Sequence, residues 1–133
     1  MNILLIDDNP QDNSGYIHEL KKHHNVDVAM KISSAKRLLE MNQYDLIVID
    51  VMMPTQSLST HSEMITGYVF YDEIIRSKLN LKTRVLFWSH LNEESYDKFF
   101  SNTTPVNSSF LHKDSLSDDH LLSYINNMLC NSN

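Results

Sequence analysis

The sequence predicts an α/β fold: one domain built on a doubly wound, five-stranded parallel sheet, (βα)5 in order. Three observations predict it. Ile3-Leu4-Leu5-Ile6, Leu46-Ile47-Val48-Ile49 and Val85-Leu86-Phe87-Trp88 are continuous apolar runs, as expected of strands buried on both faces. Segments with apolar residues at helical spacing separate these runs, so strands and helices alternate and the crossovers are right-handed. The 133 residues suffice for one core and not for two.

The elements follow in chain order. Ile3-Leu4-Leu5-Ile6 is the first strand. Pro10 with Asp12 or Asn13 signals a helix start, and Tyr16, Ile17 and Leu20 are that helix's apolar stripe. Val26-Asp27-Val28-Ala29-Met30 alternates apolar and polar, which suits a strand near the sheet edge. Ser33 or Ser34 is the expected cap of a second helix carrying Ala35, Leu38 and Leu39. After the Leu46-Ile47-Val48-Ile49 strand, Tyr68, Tyr71, Ile74, Ile75 and Leu79 mark a third helix. The Val85-Leu86-Phe87-Trp88 strand precedes a shorter helix with Tyr96, Phe99 and Phe100. Phe110-Leu111, with Val106 just before it, is a weak fifth strand. Leu121, Leu122, Ile125, Met128 and Leu129 form the clearest stripe, and Ser115 with Asp118 resembles a capping box at its start. The domain is read as residues 1–129 with a short tail at 130–133. Pro54-Thr55-Gln56-Ser57-Leu58-Ser59-Thr60-His61-Ser62 is long for a βα connection, where about 2–6 residues are usual, and a mobile loop is expected there.

Composition removes several functional classes. The net charge of −6 argues against direct, sequence-independent nucleic-acid binding, which needs clustered Lys and Arg. No apolar run approaches the ~18 residues of a membrane span, and the N-terminus lacks the basic lead of a signal peptide. One cysteine, Cys130, excludes an internal disulfide and a cysteine-built zinc site, so a cytoplasmic location is expected. Two glycines leave no glycine-rich phosphate loop.

Ligands of an open parallel sheet bind at the carboxyl ends of its strands. Strand one ends in Asp7 and Asp8, strand three in Asp50, strand four in Ser89 and His90, and strand five runs into Lys113. Each alone has an ordinary explanation: a turn-forming Asp or Ser, a solvated Lys. Together they bring carboxylates, a hydroxyl and an ammonium to one rim. Neighbouring carboxylates repel one another, and a hard divalent cation such as Mg²⁺ relieves that repulsion. A lysine and a hydroxyl suit the oxygens of a phosphoryl group.

These residues carry a family resemblance. Ile6-Asp7-Asp8 after strand one, Asp50-Val51-Met52-Met53-Pro54 as D-x-x-M-P, Ser89 at the end of strand four and Phe110-Leu111-His112-Lys113 in strand five resemble the receiver domain of two-component response regulators. The resemblance covers residues 1 to about 129 and implies the flavodoxin-like, CheY-like fold. It implies Asp50 as phosphoacceptor, served by a histidine kinase or phosphotransfer protein. It implies a Mg²⁺ site from Asp8 directly, Asp7 mainly through water, Asp50, and the backbone carbonyl of Met52. Lys113 would pair with the acyl phosphate, and Ser89 would bond a phosphoryl oxygen. Phe110, as the switch aromatic, would turn inward with Ser89 and alter the face of helix four, strand five and helix five. That face is a candidate homodimer surface. Output through contact with a downstream protein target, from a stand-alone receiver that is not an enzyme on external substrates, is the expectation.

Departures from the family pattern mark what is particular to this chain. Asp114 follows Lys113 where the family usually has Pro after a cis bond, and a cis bond without proline costs ~3–4 kcal/mol. His90 replaces a small residue. Gly67 is the first glycine after Pro54, which implies an insertion of about nine residues within 55–66 by comparison with usual loop lengths. Phe110 offers no hydroxyl where the family often has Tyr. His90, Asp114 and the insertion motivate an alternative, a receiver-like interaction module independent of phosphorylation. A haloacid-dehalogenase-type phosphohydrolase is disfavoured, since the first strand ends Asp7-Asp8-Asn9-Pro10 rather than D-x-D.

Overall fold

Strands that are apolar on both faces need helices on both sides, and the topology supplies them. A computed structural model describes residues 1–52, 66–78, 83–89, 93–101, 105, 107–112 and 118–130. β1 (Asn2–Ile6), β2 (Asn25–Ala29), β3 (Leu46–Asp50), β4 (Arg84–Ser89) and β5 (Ser108–His112) pair in parallel in the order β2-β1-β3-β4-β5. This is the doubly wound, flavodoxin-like order.

The helices alternate with the strands as expected. α1 (Ser14–His23) follows a 3₁₀ turn at Pro10–Asn13, with Pro10 at the start of the turn rather than of the α-helix. α2 spans Ile32–Met41. α3 is continuous from Thr66–Phe70 through a π-helical turn at Tyr71–Ile75 into Arg76–Lys78. α4 is Glu93–Phe99 and α5 is Asp118–Cys130. Within the π turn, Tyr71 and Ile75 are both buried while Asp72 and Glu73 face solvent. The Arg76 guanidinium lies 5.2 Å from the Tyr71 ring centroid and 3.2 Å from the Asp72 carboxylate.

The expected serine cap of α2 is not what forms. Lys31 is the N-cap residue, in extended conformation and without a side-chain cap bond. Burial of Ile32 and Ala35 sets the start, so Ser33 and Ser34 already lie inside the first turn. The Ala35 N–H donates to the Lys31 carbonyl at 3.0 Å to close it. Ser115, Leu79 and Val106 lie outside the described residues.

Side-chain alternation divides the core in two. Ile3, Leu5, Val48, Leu86 and Trp88 face α1 and α5, meeting Tyr16, Leu20, Ile125 and Leu129. Leu4, Ile6, Ile47, Ile49 and Phe87 face the other way, meeting Ala35, Tyr68, Tyr71, Ile75 and Phe100. The outer strands follow their position: β2 alternates exposed Asn25 and Asp27 with half-buried Val26 and Val28, and β5 is half-buried throughout. At the amino end of the sheet, the Tyr44 hydroxyl donates to Asp27 Oδ2 at 2.7 Å, and the Thr83 hydroxyl donates to the Tyr44 carbonyl at 2.7 Å.

Tyr68 sits at the centre of the second core. Its ring meets Phe87, Tyr96, Phe99 and Phe100 at centroid distances of 5.4–6.2 Å, and its hydroxyl pairs with Ser95 Oγ at 2.8 Å. Burial pushes the Tyr68 phenol up to about 12, although the Ser95 hydrogen bond pulls the other way. A folded-state pKa raised above the unfolded value of 10 gives stability that is complete below pH 10 and lost as pH climbs toward 12. A two-unit shift corresponds to at most ~3 kcal/mol. Urea unfolding between pH 9 and 12 is expected to show this loss in wild type and a smaller one in Tyr68→Phe. Equal losses in the two proteins would refute the assignment to Tyr68.

Candidate functional site

The strand order reverses between β1 and β3, so a crevice opens at their carboxyl ends. Ile6 pairs with Ile49, which places the next residues, Asp7 and Asp50, beside each other. The Asp7 N–H still donates to the Ala29 carbonyl at 3.0 Å, so its backbone is held as an extension of the strand. The carboxylates of Asp7, Asp8 and Asp50 each offer an oxygen, and these oxygens lie within 4.8 Å of one another. Asp7 is 1% exposed and Asp50 6%, while Asp8 faces solvent.

Backbone donors fix the two buried carboxylates. The Asn9 N–H donates to Asp7 Oδ1 at 2.9 Å, and the Met52 N–H donates to Asp50 Oδ1 at 3.2 Å. Both bonds span two residues in the manner of an Asx turn, so each Asp is aimed by the chain immediately after it. The amide of Met52 is a contact that residue types alone did not suggest. On the α1–α5 face Asp50 has Trp88 as its β4 neighbour, and Trp88 meets the Tyr16 ring edge-on at 5.0 Å.

The donor set is all oxygen and all anionic, which is the chemistry a hard divalent cation selects. Two unit negative charges within 4.8 Å of each other repel by at least about 3 kcal/mol at an effective dielectric near 20. The residues therefore fit a Mg²⁺ ion, which would be held by the exposed Asp8 together with the buried Asp50 and Asp7.

Ser89, the last residue of β4, is fully buried and pairs with His112 of β5. Phe110 is half-buried on β5, its ring 5.9 Å from that of Tyr96. The structure thus brings Asp7, Asp8, Asp50, Met52 and Ser89 to the carboxyl ends of the strands. Lys113, Asp114, His90 and the 53–65 stretch that holds most of the 55–66 insertion lie outside the described residues.

Gly67 is a further site residue, and the sequence signalled it only as a landmark of the insertion. Its N–H donates to the Val51 carbonyl at 2.8 Å, tying the first turn of α3 to the end of β3. A Cβ on Gly67 would fall 2.7 Å from the Val51 Cα, 2.9 Å from Ile49 Cγ2 and 3.0 Å from the Asp50 carbonyl oxygen. Two of these neighbours are backbone, so the helix cannot come this close with any larger residue. Gly67→Ala is expected to lower unfolding free energy by about 1–3 kcal/mol, as overpacking does. A melting temperature unchanged from wild type would contradict this contact.

Charge relief gives a second expectation. Asp50→Asn removes one buried charge and keeps an oxygen for the Met52 amide. With divalent cations chelated, the variant is expected to be about 1–2 kcal/mol more stable than wild type in urea unfolding. A less stable variant would mean that the carboxylates do not strain one another.

No family model matches the sequence, and no curated protein matches it. Solved structures do match the fold. The receiver domain of Francisella response regulator 1452 is 22% identical with a TM-score of 0.74, over 99% of this chain and 98% of that one. A two-component response regulator from Clostridium difficile is 21% identical with a TM-score of 0.72, over 100% and 98% of the two chains. Thermotoga maritima TrrA, solved in complex with Mg²⁺ and BeF, is 21% identical with a TM-score of 0.69, over 96% and 97%. The chain has the CheY-like fold of response regulator receiver domains. No described helix is long and apolar enough to cross a membrane.

Proposed function

We propose that the chain is a receiver of a two-component or phosphorelay system, phosphorylated on Asp50 with Mg²⁺ and signalling through protein–protein contacts. The observation that carries the reading is the Asp7, Asp8 and Asp50 cluster at the reversal of strand order, with Asp50 held on the Met52 amide. Proteins of this fold that carry the receiver role, one of them with Mg²⁺ and BeF bound, support it.

The donor is a phosphohistidine on a kinase or phosphotransfer protein. An Asp50 carboxylate oxygen attacks the phosphorus, the phosphorus–nitrogen bond breaks, and the imidazole leaves with the electron pair and takes up a proton. The Met52 amide bonds Asp50 Oδ1 and turns the other carboxylate oxygen toward the incoming group. Asp8, Asp50, the Met52 carbonyl and, through water, Asp7 would hold Mg²⁺, which would supply positive charge to the phosphoryl oxygens. Lys113 supplies a second cation to the same oxygens. Ser89 bonds one of them and draws the end of β4 inward, and Phe110 follows, which changes the α4–β5–α5 face. That face meets the downstream target or a second copy of the chain. Reversal is by water attacking phosphorus, with the Asp50 carboxylate leaving and inorganic phosphate released.

The test is intact mass after incubation with Mg²⁺ and acetyl phosphate. Wild type is expected to gain one phosphoryl group and Asp50→Asn none. Gain by both would identify the wrong acceptor. No gain by wild type, together with no beryllofluoride binding, would favour the phosphorylation-independent module instead.

A further inference from the structure

We propose that Tyr96 is a positioning residue of the switch: a hydrogen-bonded chain from Tyr96 through Ser108 to Pro105 clasps α4 to β5 and holds Phe110 in its resting place. This rests on the receiver reading of Asp50. The Tyr96 hydroxyl makes a short hydrogen bond with Ser108 Oγ, and Ser108 Oγ donates to the Pro105 carbonyl at 3.0 Å. Serine has one hydroxyl proton, and here the Pro105 carbonyl takes it, so Tyr96 is the donor to Ser108. The chain is thus directional, from helix to strand to the segment before the strand.

The ring of Tyr96 completes the clasp. Ser108 and Phe110 are two apart on β5 and share a face, and Tyr96 spans both, its hydroxyl on one and its ring 5.9 Å from the other. On its inner side the same ring meets Phe87 at 5.6 Å and Phe100 at 5.3 Å. Any inward turn of Phe110 therefore displaces Tyr96 or passes it. A hydroxyl absent from the switch ring itself is supplied by the helix that covers it.

β5 is paired with β4 along its length and α4 is tied to Tyr68 through Ser95 and Phe99, yet neither element is deeply buried. None of the α4 residues is buried, and β5 is half-buried along its length. Short elements with few buried contacts open locally at low cost. Asn107, immediately before Ser108, has φ 56°, in the left-handed region that Asn tolerates better than most residues. Its carbonyl still accepts the Val85 N–H at 3.0 Å, so the turn is held strained at the start of β5.

Tyr96→Phe removes the hydroxyl and keeps the ring, and Ser108→Ala breaks the chain from the other end. Both are read by amide hydrogen exchange in α4 and β5 and by the initial rate of phosphoryl uptake from acetyl phosphate. Each variant is expected to speed exchange in α4 and β5 at least threefold relative to β1 and β3. Each is expected to raise the uptake rate two- to fivefold with Mg²⁺ affinity unchanged, and the double variant to match the singles. Unchanged exchange, or faster exchange with an unchanged uptake rate, would overturn the clasp. If wild type takes up no phosphoryl group while the variants exchange faster, the receiver reading fails and the clasp's part in switching fails with it. Normal uptake with unchanged exchange fails the clasp alone.

Discussion

Two carboxylates buried side by side are costly, and much of this molecule serves to hold them there. Asp7 and Asp50 end adjacent strands whose register is set by the pairing of Ile6 with Ile49. Neither can retreat to solvent, because Asp7 is still bonded into the ladder through Ala29 and Asp50 closes the fully buried β3. The cost is carried by burial of apolar surface on both faces of β1, β3 and β4. A sheet covered on one face alone would leave these strand ends exposed and their charges screened.

The same constraint explains the crowding behind the site. α3 must come close enough for the Gly67 amide to reach the Val51 carbonyl, and only a residue without a side chain allows it. In a chain with two glycines, one is spent at this contact. Beyond it, Tyr68 anchors α3 to Phe87 of β4 and, through Ser95, to α4. Tyr96 then joins α4 to β5. A continuous line of packed rings and hydroxyls therefore runs from the end of β3 to the outer edge of the sheet. The line ends at the half-buried Tyr96 and Ser108.

Much of this fold was legible from residue order because burial on two faces writes a simple pattern. β1, β3 and β4 read as unbroken apolar runs, and β2 as an alternating one at the edge. β5 was legible only at Phe110-Leu111, since Ser108 and Ser109 are polar residues that join the sheet through ladder pairing with Val85 and Leu86. α2 starts ahead of Ser33 and Ser34 because burial of Ile32 outweighs their capping preference. At the site, Asp7, Asp8 and Asp50 followed from the rule that strand ends gather ligands. The Gly67 contact and the Tyr96–Ser108 bond did not, because each joins residues from different elements with no local spacing to betray it.

The account depends on the three carboxylates acting as one cation site whose occupancy relieves their repulsion. Calorimetric titration of Mg²⁺ into the protein tests this most directly, with Asp8→Asn and Asp50→Asn beside wild type. One ion per wild-type chain is expected, with affinity at least tenfold weaker in either variant. No binding by wild type, or undiminished affinity in Asp50→Asn, would contradict the account.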